Sequence, residues 1–171
     1  AGGAGGFIDK FGYPFCRGRL FSSIEEDKGQ YNDERQIFWA SGACMMVRRV
    51  DFIDYGGLDE NFFTHQEEID FCWRVNSRGR KVYYIPSSVV YHLGGGTLNQ
   101  SNPKKTYYNF RNNRLMIYKN LNTARLIPLS IIRFFLDYLA AFVFLISLKP
   151  SLFWAVLKAR IDFYRYKGKV K

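Results

Sequence analysis

The hydrophobic pattern of this chain changes period several times, and each change predicts a new element. Phe38 to Val47 is a near-continuous apolar run broken by Ser41-Gly42. It predicts a buried strand with a gap at Gly42 where backbone or a ligand can approach closely. Arg49 to Tyr55 predicts a short helix ended by Gly56. Further on, Ile69, Cys72, Trp73 and Asn76 fall at helical spacing, Thr64 with Glu67 three residues later has the form of a capping box, and Gly79 is a natural stop. Bulky β-branched and aromatic residues around 81–85 and 88–92 predict two short strands. Lys105 to Asn120 predicts a helix that packs through Tyr108, Leu115 and Tyr118. The glycine-rich start, residues 1 to 6, reads as a flexible leading loop, because no Gly-Lys-Ser/Thr follows it. Residues 7 to 37 read as ordered but irregular.

The last third differs in character. Leu126 to Leu148 holds 23 residues and two charges, Arg133 and Asp137, four apart. A membrane-spanning helix needs about 20 predominantly apolar residues. Each central charge costs on the order of 2.5–3.5 kcal/mol before pairing, and the uncharged part from Tyr138 is too short alone. Lys149-Pro150 breaks the helix and Ser151 is placed to cap the next, which sets Phe153, Leu157, Ile161 and Tyr164 on one side and Lys158 and Arg165 elsewhere. With Trp154, this pattern predicts a helical hairpin lying on a bilayer rather than through it. The competing reading packs the hairpin on its own domain or on a second chain.

Charge sharpens the division. The 171-residue chain carries a net +10, but residues 1–102 hold 11 Lys and Arg against 13 acids, while residues 103–171 hold 14 against two. A neutral front and a basic rear predict an anionic partner for the rear: a membrane surface, a diphosphate or nucleic acid. Nucleic acid ranks last, since no recognisable binding module is present and the basic segments alternate with apolar runs. The three cysteines, Cys16, Cys44 and Cys72, lack metal-ligand spacing and read as reduced thiols of a cytoplasmic protein. The organisation expected is a globular part over 1–122 and a basic amphipathic hairpin over 123–171.

Candidate chemistry centres on Glu67, Glu68 and Asp70, three carboxylates in one first helical turn. Acids there complement the helix dipole without further purpose, so position alone decides nothing. The surrounding motifs say more: Ser41-Gly42-Ala43, Gly56-Gly57-Leu58-Asp59-Glu60, Phe62-Phe63, Glu67 through Arg74, Gly79, Tyr83-Tyr84-Ile85-Pro86 and Tyr91-His92-Leu93-Gly94-Gly95. In this order and spacing they resemble the acceptor-side half of family 2 glycosyltransferases, inverting enzymes of GT-A fold, closest to the rhamnosyltransferase-like branch. The resemblance is strong over residues 38 to 121.

It implies an α/β fold, part of a GT-A sheet with the acidic helix against it. It implies transfer of a sugar from a nucleotide-sugar donor with inversion; the family together with the basic rear sets the expectation of a glycan or glycolipid acceptor, lipid-linked or polysaccharide, at the cytoplasmic face of the cell membrane, and the hairpin sets that of peripheral attachment to that anionic surface. The base would be Glu68, standing where the family usually has Asp, with Glu67 beside it and Asp70 as fallback, directed instead toward Arg74. His92 would complete a divalent metal site for Mg2+ or Mn2+, largely built by residues elsewhere. Trp39, Gly42 and Arg74 are candidates for donor or acceptor binding. Backbone amides at Gly94 and Gly95 can wrap a diphosphate, and Arg111, near Lys104 and Lys105, can offset leaving-group charge. The family's donor-side Asp-x-Asp occurs nowhere in this sequence, which places the nucleotide-binding half upstream. A second reading, from another class, is a non-catalytic membrane-recruitment or scaffold module.

Overall fold

A computed structural model describes residues 3–20, 23–92 and 102–170. Among the described residues six short strands form three antiparallel pairs: β1 (Gly6–Ile8) with β2 (Pro14–Cys16), β3 (Arg19–Leu20) with β4 (Ser23–Ile24), and β5 (Arg35–Ile37) with β6 (Val82–Tyr84). Five helices follow or intervene: α1 (Arg49–Asp54), α2 (Glu67–Ser77), α3 (Pro103–Asn120), α4 (Thr123–Ile146) and α5 (Pro150–Tyr166). The mixture agrees with the α/β class expected.

The chain divides into two compact units. The first takes in the described residues up to 59 together with 68–92. Its core is Ile37, Trp39, Ile69, Phe71, Cys72 and Val75. The apolar stripe of α2 lies inward, with Phe71 against Phe52 at 5.3 Å and Trp73 edge-on to Phe38 at 5.3 Å. Asn76 donates from its side-chain amide to Phe38 O at 2.8 Å, fixing the chain that follows β5.

Phe38 to Val47 is not the buried strand expected. Trp39 makes one isolated bridge to Gly6, Ser41 caps a 3-10 turn over Gly42–Cys44, and most residues beyond Trp39 are exposed. The break that Ser41-Gly42 introduces ends the extended run rather than interrupting it. Ser88 to His92 is likewise exposed chain without strand pairing. β6 pairs with β5 in the register Arg35 to Tyr84 and Ile37 to Val82.

The second unit takes in residues 60–67 and those described beyond 92. Asn102 and Asn122 cap α3 and α4, accepting from Lys104 N at 2.9 Å and Arg125 N at 3.1 Å. Pro150 takes the first position of α5 after Lys149, so Ser151 lies inside the helix and is not its cap. The side of α5 that packs is also not the one expected. Leu152, Ala155, Val156, Ala159 and Phe163 face α3 and α4, the two alanines permitting close approach, and Ile161 and Tyr164 are exposed.

Arg133 and Asp137 of α4 turn inward. Asp137 is fully buried and accepts from Arg133 Nη2 at 3.2 Å, Arg160 Nη1 at 3.1 Å and Arg114 Nη1 at 3.4 Å. Each arginine is itself buried, and Arg160 stacks on Phe134 and Tyr138.

Candidate functional site

The acidic helix begins two residues later than a capping box at Thr64 requires. His65 and Gln66 have φ of 67° and 72°, left-handed values that cannot belong to a right-handed first turn. Thr64 is therefore not the cap, and Glu67 opens α2. Glu68 is its second residue. A Cβ placed on the exposed Gly42 would lie 3.9 Å from Cβ of Glu68 and 4.0 Å from its Cγ, so the 3-10 turn presents bare backbone to this carboxylate-bearing side chain. Cys72 and Cys16 lie near enough to feel the same charge. Burial, with a smaller contribution from Glu68, pushes the Cys72 thiol up to about 11 and also raises Cys16, so both stay protonated near neutral pH.

Asp70 and Arg74 serve the scaffold. Asp70 is fully buried and accepts from Arg74 Nε at 2.9 Å. The same guanidinium donates to Gly57 O at 2.6 Å and to Tyr55 O, tying down the turn after α1. The expectation that Asp70 is directed to Arg74 matches this arrangement. Trp39 is buried, donates from Nε1 to Phe7 O at 2.9 Å and packs its indole on Gly6, where no Cβ would fit.

In the second unit, the loop before α2 is held from α3. Asn112, fully buried, donates to Phe62 O at 2.9 Å, Thr64 O at 2.7 Å and His65 O at 2.8 Å. Arg111 donates to Asn61 O and Phe62 O, and its guanidinium lies over Tyr107, Tyr108 and Tyr166. Gln66 donates to Asn109 O at 3.0 Å and accepts from Asn113 at 3.2 Å. Three residues with positive φ, Phe63, His65 and Gln66, are thus over-determined by a buried polar clamp, the circumstance in which backbone strain persists at a working loop. The Glu67 Oε2 and His65 Nε2 atoms are buried there without a hydrogen-bond partner. Burial and the neighbouring Lys105 hold the His65 imidazole below its ordinary value, against an opposing pull from Glu67.

His65 and this clamp escape a reading by motif. The available signal was the polar run Arg111-Asn112-Asn113-Arg114: four consecutive polar residues cover a full turn, so some must face inward. His92 is exposed, and Gly94 and Gly95 lie outside the described residues. Among the described residues no group of three His, Cys, Asp or Glu side chains gathers as a metal site.

Part of the chain is similar to known proteins. No family model matches it, and no solved structure matches it. It is 41% identical over 59 residues to N-acetylglucosaminyl-diphospho-decaprenol L-rhamnosyltransferase of Mycobacterium tuberculosis, covering 34% of this chain and 19% of that protein. It is 35% identical over 56 residues to rhamnosyltransferase WbbL of Escherichia coli, covering 33% and 21%. A third relative is the low-salt glycan biosynthesis hexosyltransferase Agl10 of Haloferax volcanii, 37% identical over 65 residues, covering 36% and 21%. The match spans about a fifth of the length of each relative. Over that shared stretch the chain is a relative of the rhamnosyltransferase-like glycosyltransferases.

Proposed function

We propose that this chain is the acceptor-side part of an inverting glycosyltransferase of GT-A type. It passes a sugar from a nucleotide-sugar donor to a lipid-linked or polysaccharide acceptor at the cytoplasmic face of the cell membrane. The observation that carries the reading is the identity shared with the rhamnosyltransferases, one of which is named for a diphospho-decaprenol-linked acceptor. The placement of Glu68 beside the bare backbone of Gly42 supports it.

In the proposed reaction Glu68 takes the proton of the acceptor hydroxyl. The hydroxyl oxygen bonds to the anomeric carbon as the bond from that carbon to the nucleoside diphosphate breaks on the opposite face, and configuration inverts. Asp70 and Arg74 hold α2 and the preceding turn, while Trp39 and Arg111 position backbone rather than substrate. The Mg2+ or Mn2+ expected of such an enzyme would draw its ligands mainly from outside the described residues, with His92 as a donor from this chain.

The test is the full-length polypeptide carrying this sequence, wild type against Glu68→Gln, with a panel of nucleotide sugars and Mg2+ or Mn2+. Loss of a positioned general base lowers turnover by about 10²–10⁴-fold, with donor binding retained. Near-normal turnover in Glu68→Gln refutes the base assignment. Wild-type protein that neither binds nor turns over any donor favours the second reading, a non-catalytic membrane-recruitment module, which the outward apolar face of α4 supports.

A further inference from the structure

The cluster at the centre of the three C-terminal helices is unbalanced in charge. Arg114 of α3, Arg133 of α4 and Arg160 of α5 all pair with one carboxylate, Asp137. Arginine does not shed its proton in proteins, so among the described residues the three guanidinium charges outnumber the Asp137 carboxylate by two. The four groups have relative exposures of 8%, 2%, 5% and 0%. Taking unneutralised charge out of water is costly, and a second anion relieves that cost.

The structure also holds a place for one. A small cavity beside the cluster is lined by Arg114, Arg133, Ser130 and Tyr118 together with the apolar Ile117, Leu126 and Phe163, with room for about one water-sized group. Arg114 is more than nine-tenths buried, and its Nε has no hydrogen-bond partner although Nη1 reaches Asp137. Burial, reinforced by Arg160, lowers the hold of Arg114 on its proton, as expected for a cation short of counter-charge. Ser130 and Tyr118 add hydroxyls to the lining.

We propose that Arg114, Arg133, Ser130 and Tyr118 form a phosphoryl-binding site, with one phosphoryl oxygen seated in the cavity and the rest of the group at its mouth, and with Arg160 adding charge through the shared Asp137. Guanidinium forks match phosphate oxygens, and a phosphomonoester carries about −1.5 to −2 near neutral pH, which meets the surplus of two. The source is either the headgroup of a phosphate-bearing lipid or a free phosphate. Taking it as the phosphate of a lipid-linked acceptor rests on the transferase reading; the site itself does not.

The whole chain is tested two ways. Inorganic phosphate is titrated at constant ionic strength, with 31P line width and the thermal midpoint as readouts. Phosphatidylcholine vesicles doped with phosphatidic acid are compared with vesicles doped to equal charge with oleate. The site predicts saturable broadening and a raised midpoint with inorganic phosphate. Arg114→Gln weakens both by about tenfold or more, and Ser130→Leu, which fills the cavity and removes no charge, does the same. A preference for phosphatidic acid over oleate that both variants remove assigns the lipid source. Equal binding to both vesicles, with phosphate still saturating, assigns a free one. No saturable phosphate response in wild type, or an unaltered one in folded Ser130→Leu, overturns the site. Neither result depends on sugar transfer, so failure here and failure of Glu68→Gln are read separately.

Discussion

His65 stands at φ 67° with Nε2 buried beyond reach of any hydrogen-bond partner, so a proton on that nitrogen would be poorly solvated. Burial and then Lys105 lower its affinity for a proton below the ordinary 6.5. The sign follows from linkage. The unfolded chain takes up the proton first, so the stability of the neutral ring is present above about pH 6.5 and is lost as pH falls below it. The urea midpoint of the wild type should therefore drop between about pH 7.5 and pH 5.5 by more than that of His65→Asn. Asparagine keeps the tolerance for left-handed backbone and lacks the titrating ring. Equal drops in the two proteins would show that acid sensitivity arises elsewhere, among the carboxylates. Asn112 explains why the loop does not relax: its amide binds three carbonyls of the segment that carries the strain.

At the scale of elements, α4 is a helix whose two central charges, Arg133 and Asp137, point into a shared buried cluster. Removing Asp137 while keeping three arginines leaves buried cations unpaired. Asp137→Asn should therefore cost about 3–5 kcal/mol in urea unfolding. Arg160→Met should cost clearly less, because Asp137 keeps Arg114 and Arg133. Similar losses in both would mean that the network is apportioned differently. The three C-terminal helices were legible from the sequence because long apolar runs and Lys149-Pro150 are local signals, whereas the caps Asn102 and Asn122 emerged only from the structure. What the arginines face was not, since their partner lies 23 residues away on either side. The same limit explains α2. Its apolar period and Gly79 located the helix, but its start depends on Asn112 and Asn113, nearly 50 residues on, which hold Thr64 to Gln66 out of a helical turn. Phe38 to Val47 misled because apolar composition without alternation does not separate a strand from exposed apolar chain.

For the whole molecule, the question is what meets the outer face of the C-terminal helices. Ile131, Phe135, Leu139, Phe142 and Ile146 form a stripe along α4, each more than half exposed, while Arg133 and Asp137 are turned away from it. Such a contiguous apolar surface marks an interaction site. The stretch beyond residue 102 carries 14 Lys and Arg against two acids, so the face sits in a basic surround suited to an anionic bilayer. The 24 residues of α4 rise about 36 Å, which exceeds a hydrocarbon core of about 30 Å, so length alone permits crossing as well. The packing of α5 beside α4, with Trp154 exposed, favours lying in the interface. The chain should co-sediment with phosphatidylglycerol vesicles, and alkaline carbonate should release it. Phe135→Glu with Leu139→Glu should abolish binding without lowering the thermal midpoint, since neither side chain is buried. Resistance to carbonate would mean that α4 crosses. Binding that survives both substitutions but yields to salt would place control in the basic charge. Loss of self-association instead of vesicle binding would make the face a contact between copies of this chain.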